Sequence, residues 1–294
     1  MSVLVYLQHN PISFCLVTGI LGLIVGSFLN VIIYRLPRMM ESDWRAQCCE
    51  LLDIDDADEV ARPPFNLMYP RSQCPHCGHP IKALENIPVL SYLFLKGKCA
   101  ACHHPISLRY PFIEISSGVF AAIVACHFGF GLQAAFAIML TWALICLSMI
   151  DIDRQLLPDD ITLPFLWLGL ACNLLLTGMF TDIYSSLLGA MSGYIVLWTV
   201  YILFKLVTGK QGMGYGDFKL LAMLGAWLGW QMLPVIVLVS SFLGATVGIS
   251  LILFRHHDKG KPIPFGPYLA VAGWIALLWG HEISSAYLQW AFPA

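Results

Sequence analysis

The stretch from Ser13 to Tyr34 contains no Lys, Arg, Asp or Glu. A helix needs roughly 20 apolar residues to cross the hydrocarbon core of a bilayer, so this run is long enough to span one. Predominantly apolar runs recur at about 112–130, 133–150, 161–179, 183–206, 218–231, 234–254 and 267–290, which makes eight candidate spans. Composition agrees: 58% of the 294 residues are hydrophobic and 12% are charged, against about 25% charged in soluble domains. A soluble fold of this length would have nowhere to put so much apolar surface. The expected architecture is an all-α polytopic membrane protein of about eight transmembrane helices, solvated by membrane lipid. Residues 1–12 carry no Lys or Arg, so no basic n-region, and hence no cleavable signal peptide, is expected.

The 16 basic residues orient these spans. Nine lie in 35–111, Arg154 follows the third run, Lys205, Lys210 and Lys219 flank the fifth-to-sixth loop, and Arg255, Lys259 and Lys261 fall between the seventh and eighth. With eight spans all of them lie on one side, which the positive-inside rule makes the cytoplasm. Both termini then face out. A net charge of −2 and the lack of a basic tail give no reason to expect a nucleic-acid partner. No internal repeat is visible, so an inverted-repeat transporter plan has no support.

Residues 35–111 hold nine basic and nine acidic residues and read as a small cytoplasmic domain inserted after the first helix. The expected division is a transmembrane helix at 1–34, this domain at 35–111, and a seven-helix membrane domain at 112–294. Asp53 to Glu59 reads as a solvated acidic turn or helix end. Cys74-Pro75-His76-Cys77 is followed after 21 residues by Cys99-Ala100-Ala101-Cys102. Two such knuckles, each offering two sulfurs from a tight turn, complete a tetrahedron and are the pattern of a four-thiolate zinc site. Four protein ligands leave no open position for water, so the expected role is structural, with His76, His79, His103 and His104 outside the ligand set. Cys15, Cys126, Cys146 and Cys172 lie in apolar runs and Cys48-Cys49 is an adjacent pair. That distribution fits a reducing compartment and one metal site better than a disulfide framework.

Carboxylates at membrane boundaries are costly and so point to function. Asp151 and Asp153 close the third run, Asp159 and Asp160 open the fourth, and Asp217 opens the sixth after glycines at 212, 214 and 216. Asp159 or Asp160 also suits a helix N-cap. The three glycines clear side chains from the approach to Asp217. Two carboxylates from different spans can share a proton, one activating water and the other polarising a carbonyl. No H-E-x-x-H and no evident Ser-His or Cys-His arrangement competes.

At these residues the chain resembles the bacterial type IV prepilin peptidases, aspartyl proteases of the GxGD kind. Gly26-Ser27-Phe28-Leu29-Asn30-Val31 and Arg35-Leu36-Pro37 resemble the family's first span, and the paired C-x-x-C segment follows in the expected order. Ile150-Asp151-Ile152-Asp153 with Leu156-Leu157-Pro158-Asp159, Gly214-Tyr215-Gly216-Asp217-Phe218-Lys219, and Pro264-Phe265-Gly266-Pro267 complete the set. The resemblance covers essentially the whole chain. It implies catalytic Asp151 and Asp217, with Asp153 as the competitor for the first position. It implies cleavage of basic leaders from prepilins and pseudopilins at the cytoplasmic face of the bacterial inner membrane. It also implies N-methylation of the new terminus, usually Phe, with S-adenosylmethionine. No G-x-G-x-x-G names a methyl-donor site; Gly26 to Asn30 and the cysteine segment are candidates by position. Acidic Asp153, Asp159 and Asp160 are expected to attract the leader's basic charges. The competing class is a proton-coupled transporter using the boundary aspartates, which would place acids at mid-span depth.

Overall fold

The computed structural model describes residues 3–53, 65–176, 178–210, 212–255 and 264–291. Most of the acidic stretch ending at Glu59, and Lys259 and Lys261, lie outside them. Ten α-helices form among the described residues: α1 Val3–His9, α2 Pro11–Leu51, α3 Leu90–Phe94, α4 Arg109–Phe128, α5 Leu132–Arg154, α6 Asp159–Leu175, α7 Ile183–Thr208, α8 Tyr215–Leu228, α9 Leu233–Arg255 and α10 Gly266–Ala291. Among the described residues, five segments are long and apolar enough to cross a membrane: Pro11–Leu51, Arg109–Phe128, Leu132–Arg154, Ile183–Thr208 and Trp230–Leu251. Leu16, Ile20 and Ile24 of α2 and Leu187, Ile195 and Leu203 of α7 stand exposed, a surface that suits lipid and not water. The protein is a multi-pass membrane protein.

The chain divides into two compact units, Met1–Ala134 and Ala135–Ala294. In the first, α2 and α4 pack antiparallel at very close range. A Cβ on Gly22 would lie 2.7 Å from the Ser117 carbonyl oxygen, and one on Gly26 would lie 2.7 Å from the Glu114 Cα. Small residues let two backbones approach where lipid offers no hydrophobic driving force. Asn30 Nδ2 ties the same pair together, donating to the Gly26 and Tyr110 carbonyls at 3.2 Å each. The first helix does not stop at Tyr34 but runs on past Pro37 to Leu51.

This packing corrects one expectation. Cys15 and Cys126 are joined in a disulfide with Cα atoms 5.6 Å apart, while the other eight cysteines are not disulfide-bonded. The antiparallel α2–α4 contact brings together two residues 111 positions apart, a proximity that composition does not reveal.

In the second unit α8 is the core. Every residue from Asp217 to Leu228 except Lys219 is buried, between α6, α7 and α10, which explains how a helix of 14 residues can carry so apolar a sequence. Gly225 of α8 and Gly189 of α7 meet backbone to backbone. Trp227 donates to the Phe165 carbonyl on α6 at 2.7 Å. Asn173 is a buried hub: its amide donates to the Ala226 and Trp227 carbonyls closing α8, and its oxygen accepts from the Phe180 and Thr181 N–H groups. A buried amide with both ends satisfied fixes one register between α6 and α8.

Candidate active site and metal centre

Asp151 sits near the C-terminal end of α5 and Asp217 in the first turn of α8, where the helix dipole favours a carboxylate. They are 5% and 7% exposed. The Gly266 N–H, the first of α10, donates to Asp151 Oδ2 at 3.0 Å. A Cβ on Gly266 would lie 2.6 Å from that oxygen and 3.2 Å from Leu157 Cδ1, so only glycine lets the backbone reach the carboxylate. The Leu157 side chain also lies against Gly216, where a Cβ would meet it at 2.8 Å. One leucine thus packs on both the residue before Asp217 and the residue that holds Asp151. Leu157 thereby ties the surroundings of the two carboxyls together.

The glycines before Asp217 have different jobs. Gly212 lies on the Phe204 ring and Gly216 on Leu157, whereas among the described residues a Cβ on Gly214 would meet only Asp217 Oδ2, at 3.9 Å. Open space therefore adjoins the Asp217 carboxylate across Gly214. Asp153 and Asp160 are exposed. Asp159 accepts from Lys219 Nζ at 2.6 and 2.8 Å, an ion pair between the starts of α6 and α8. It is not an N-cap: Pro158 takes that position. Gly266 was the residue whose role sequence reasoning missed. It stood in a motif, but nothing in the sequence says that the motif reaches back 115 residues to a carboxylate.

The cysteine centre lies in the first unit. The sulfurs of Cys74, Cys77, Cys99 and Cys102 fall within 4.8 Å of one another, a set that fits one metal ion. Each knuckle is closed by the same bonds. Cys74 N–H donates to the His79 carbonyl and Cys99 N–H to the His104 carbonyl, both at 2.9 Å. Gln73 pairs with Pro80 and Lys98 with Pro105. Gly78 and His103, at matching positions, both take left-handed φ, +71° and +57°. The knuckles are two copies of Cys-x-x-Cys-x-His-Pro-Ile at 74–81 and 99–106. The chain therefore does contain a short internal repeat, overlooked because it spans eight residues and not a membrane domain. The amides of Cys77 and His76 lower the Cys74 thiol to about 7, and those of Cys102 and Ala101 lower Cys99. The first sulfur of each knuckle is thus held toward thiolate, the form that binds metal. His76 and His104 stack with ring centroids 4.5 Å apart, outside the sulfur set.

Comparison with known proteins follows the same division. Residues 20–128 match the bacterial peptidase A24 N-terminal domain, and residues 138–249, which include both buried aspartates, match the type IV leader peptidase family. A protein named prepilin leader peptidase/N-methyltransferase from Stutzerimonas stutzeri is 55% identical over 286 residues, covering 97% of this chain and 98% of its own. Its namesakes from Pseudomonas aeruginosa and Aeromonas hydrophila are 53% and 54% identical, over 99% and 98% of this chain and 99% of their own lengths. The chain belongs to the prepilin leader peptidase/N-methyltransferase family. No solved structure matches it.

Proposed function

We propose that the protein cuts the basic leader from type IV prepilins and pseudopilins at the cytoplasmic face of the bacterial inner membrane. It then methylates the new N-terminal residue with S-adenosylmethionine. The observation that carries the peptidase half is the pairing of two buried carboxyls, Asp151 and Asp217, at the ends of different helices beside open space at Gly214. Two buried carboxyls brought together do not both ionise cheaply, so the pair holds one proton between them. The ionised member takes a proton from water as it attacks the scissile carbonyl. The protonated member donates to the carbonyl oxygen and later to the leaving amine. The Gly266 N–H, bonded to Asp151 Oδ2, fixes the orientation of one partner.

The four cysteines suit zinc. Sulfurs about 2.3 Å from a central zinc form a tetrahedron with edges of about 3.8 Å. The Cys74–Cys102 and Cys77–Cys99 sulfur separations are 3.8 and 4.0 Å. Bound zinc would fix the two turns and supply folding free energy to residues 65–108, which have little core of their own. We assign methyl transfer to the first unit, because the aspartate pair and the leader-peptidase match both fall in the second. All 16 basic residues fall on one side of an eight-span topology, which supports the cytoplasmic orientation.

The test is a prepilin incubated with the full-length protein in liposomes and S-adenosylmethionine, read by mass spectrometry. Trimming after the leader with a 14 Da gain on the new terminus, where about 14 Da is one methylene, is the expected result. An untrimmed substrate would refute the reading.

A further inference from the structure

Two charged side chains are buried in the first unit: Arg35 at 7% and Glu114 at 8% exposure. Burying a charge is costly unless strong partners replace water. Both of these reach backbone of the segment that carries the cysteines. Arg35, on α2, donates from Nη1 to the Asn66 carbonyl at 2.8 Å and from Nη2 to the Pro70 carbonyl at 2.6 Å, with the Phe65 ring 5.7 Å from its guanidinium carbon. This is the strand of chain that enters the first knuckle, closed by Ile81 N–H on the Ser72 carbonyl.

Glu114, on α4, accepts the Val89 N–H at 2.8 Å. Val89 has φ +61° and ψ −46°, and the next N–H, from Leu90, donates back to the Pro88 carbonyl. That is a γ-turn of the rare positive-φ kind, here centred on a β-branched residue. Such a conformation persists only where its surroundings impose it, and the Glu114 carboxylate is bonded to the amide at its centre. The turn starts α3, whose Tyr92 braces the second knuckle. The Tyr92 hydroxyl donates to the Ile106 carbonyl at 3.2 Å, and its carbonyl accepts from Gly97 N–H at 2.8 Å. A Cβ on Gly97 would meet the Tyr92 oxygen at 2.7 Å. Gly97 and Ile106 then join through the Ile106 N–H at 2.7 Å, enclosing Cys99 and Cys102.

We propose that Arg35 and Glu114 are the two positioning residues that dock the four-cysteine module on the α2–α4 helix pair, one for each knuckle, and that they serve N-methylation and not cleavage. Each membrane helix contributes one buried charge to one arm of the module. The link to methylation rests on the assignment of that activity to the first unit; the docking does not.

The experiment uses full-length protein in liposomes: wild type, Glu114→Ala, Glu114→Gln, Arg35→Gln and Tyr92→Phe. Amide hydrogen exchange over residues 65–106, cleavage and methylation are measured on each, with a Cys74→Ser, Cys102→Ser double variant beside them. Loss of a hydrogen bond to a charged group predicts about tenfold faster exchange over 89–106 in Glu114→Ala. Methylation should fall by a similar factor while cleavage stays within about twofold. The Gln variant keeps an acceptor oxygen and should recover most of both signals. Arg35→Gln should loosen 66–81 instead, and Tyr92→Phe, which removes the hydroxyl bonded to the Ile106 carbonyl, should loosen only 97–106. Wild-type exchange over 89–106 in Glu114→Ala overturns the docking. Equal loss of cleavage and methylation overturns the separation of roles. If the double cysteine variant methylates normally, methyl transfer does not lie in the first unit, and the exchange data alone decide the docking.

Discussion

The cysteine centre and the aspartate pair are built in opposite ways. The four thiols come from two short copies of one turn, 25 residues apart, and each knuckle is closed by a bond spanning five positions, Cys74 N–H to the His79 carbonyl and Cys99 N–H to the His104 carbonyl. The aspartates come from the end of α5 and the start of α8, and the group that orients Asp151 starts α10. The first centre is a local construction that a bound metal would complete. The second exists only after helices remote in sequence have packed around α8. The comparison predicts that damage to one centre should spare the other, and that the aspartate pair should be sensitive to a single added methyl group.

The largest effect should come from the carboxyls themselves. Asp217→Asn or Asp151→Asn removes the acid–base pair and should lower cleavage by about 10²–10⁴-fold, with Asp153→Asn close to wild type because Asp153 is exposed. Assays on a prepilin peptide check all three, and residual cleavage by Asp217→Asn at the wild-type rate would break the comparison at its root. Next comes Gly266→Ala. The added Cβ would lie 2.6 Å from Asp151 Oδ2, and shifting a catalytic group by about 1 Å can cost about 10²-fold. Thermal unfolding should change little, so kcat is the quantity to measure.

Metal removal sharpens the other side. A chelator strong enough to strip zinc should release about one ion per chain, expose the Cys74 and Cys99 thiols to alkylation, and abolish methylation while cleavage survives. Acid should release the ion too, because protons compete for the thiolates. Loss of cleavage on chelation would show that the two centres are not independent. A smaller effect is expected from Gly214→Val, which fills the open space beside Asp217; KM for the prepilin should rise several-fold with kcat nearly unchanged. Smallest is Cys15→Ser, which removes the α2–α4 disulfide and should lower Tm by a few degrees without altering either activity.

What could be read in advance follows from the same contrast. Long apolar runs and C-x-x-C pairs are local signals, so the helical class and the sulfur set were legible, although the first helix runs on to Leu51, 17 residues past the apolar run's end at Tyr34. The glycines directly before Asp217 single it out in the sequence, and the structure buries it. The Gly266–Asp151 bond, the Gly189–Gly225 contact and the Cys15–Cys126 disulfide were not legible, because each joins residues that only tertiary packing brings together. The docking roles of Arg35, although it stands in a motif, and of Glu114 were hidden for another reason. Their partners are backbone amides and carbonyls, which every residue carries and no motif marks.

The central claim is that two activities occupy two separately built centres of one chain. Complementation tests it directly. Asp217→Asn, which should methylate but not cut, is mixed in liposomes with the Cys74→Ser, Cys102→Ser variant, which should cut but not methylate, and a prepilin is supplied with S-adenosylmethionine. The account predicts a product that is both trimmed and methylated from the mixture, and from neither variant alone. If the mixture yields trimmed product without a methyl group while wild type methylates fully, the two activities are not separable between these centres and the account is wrong.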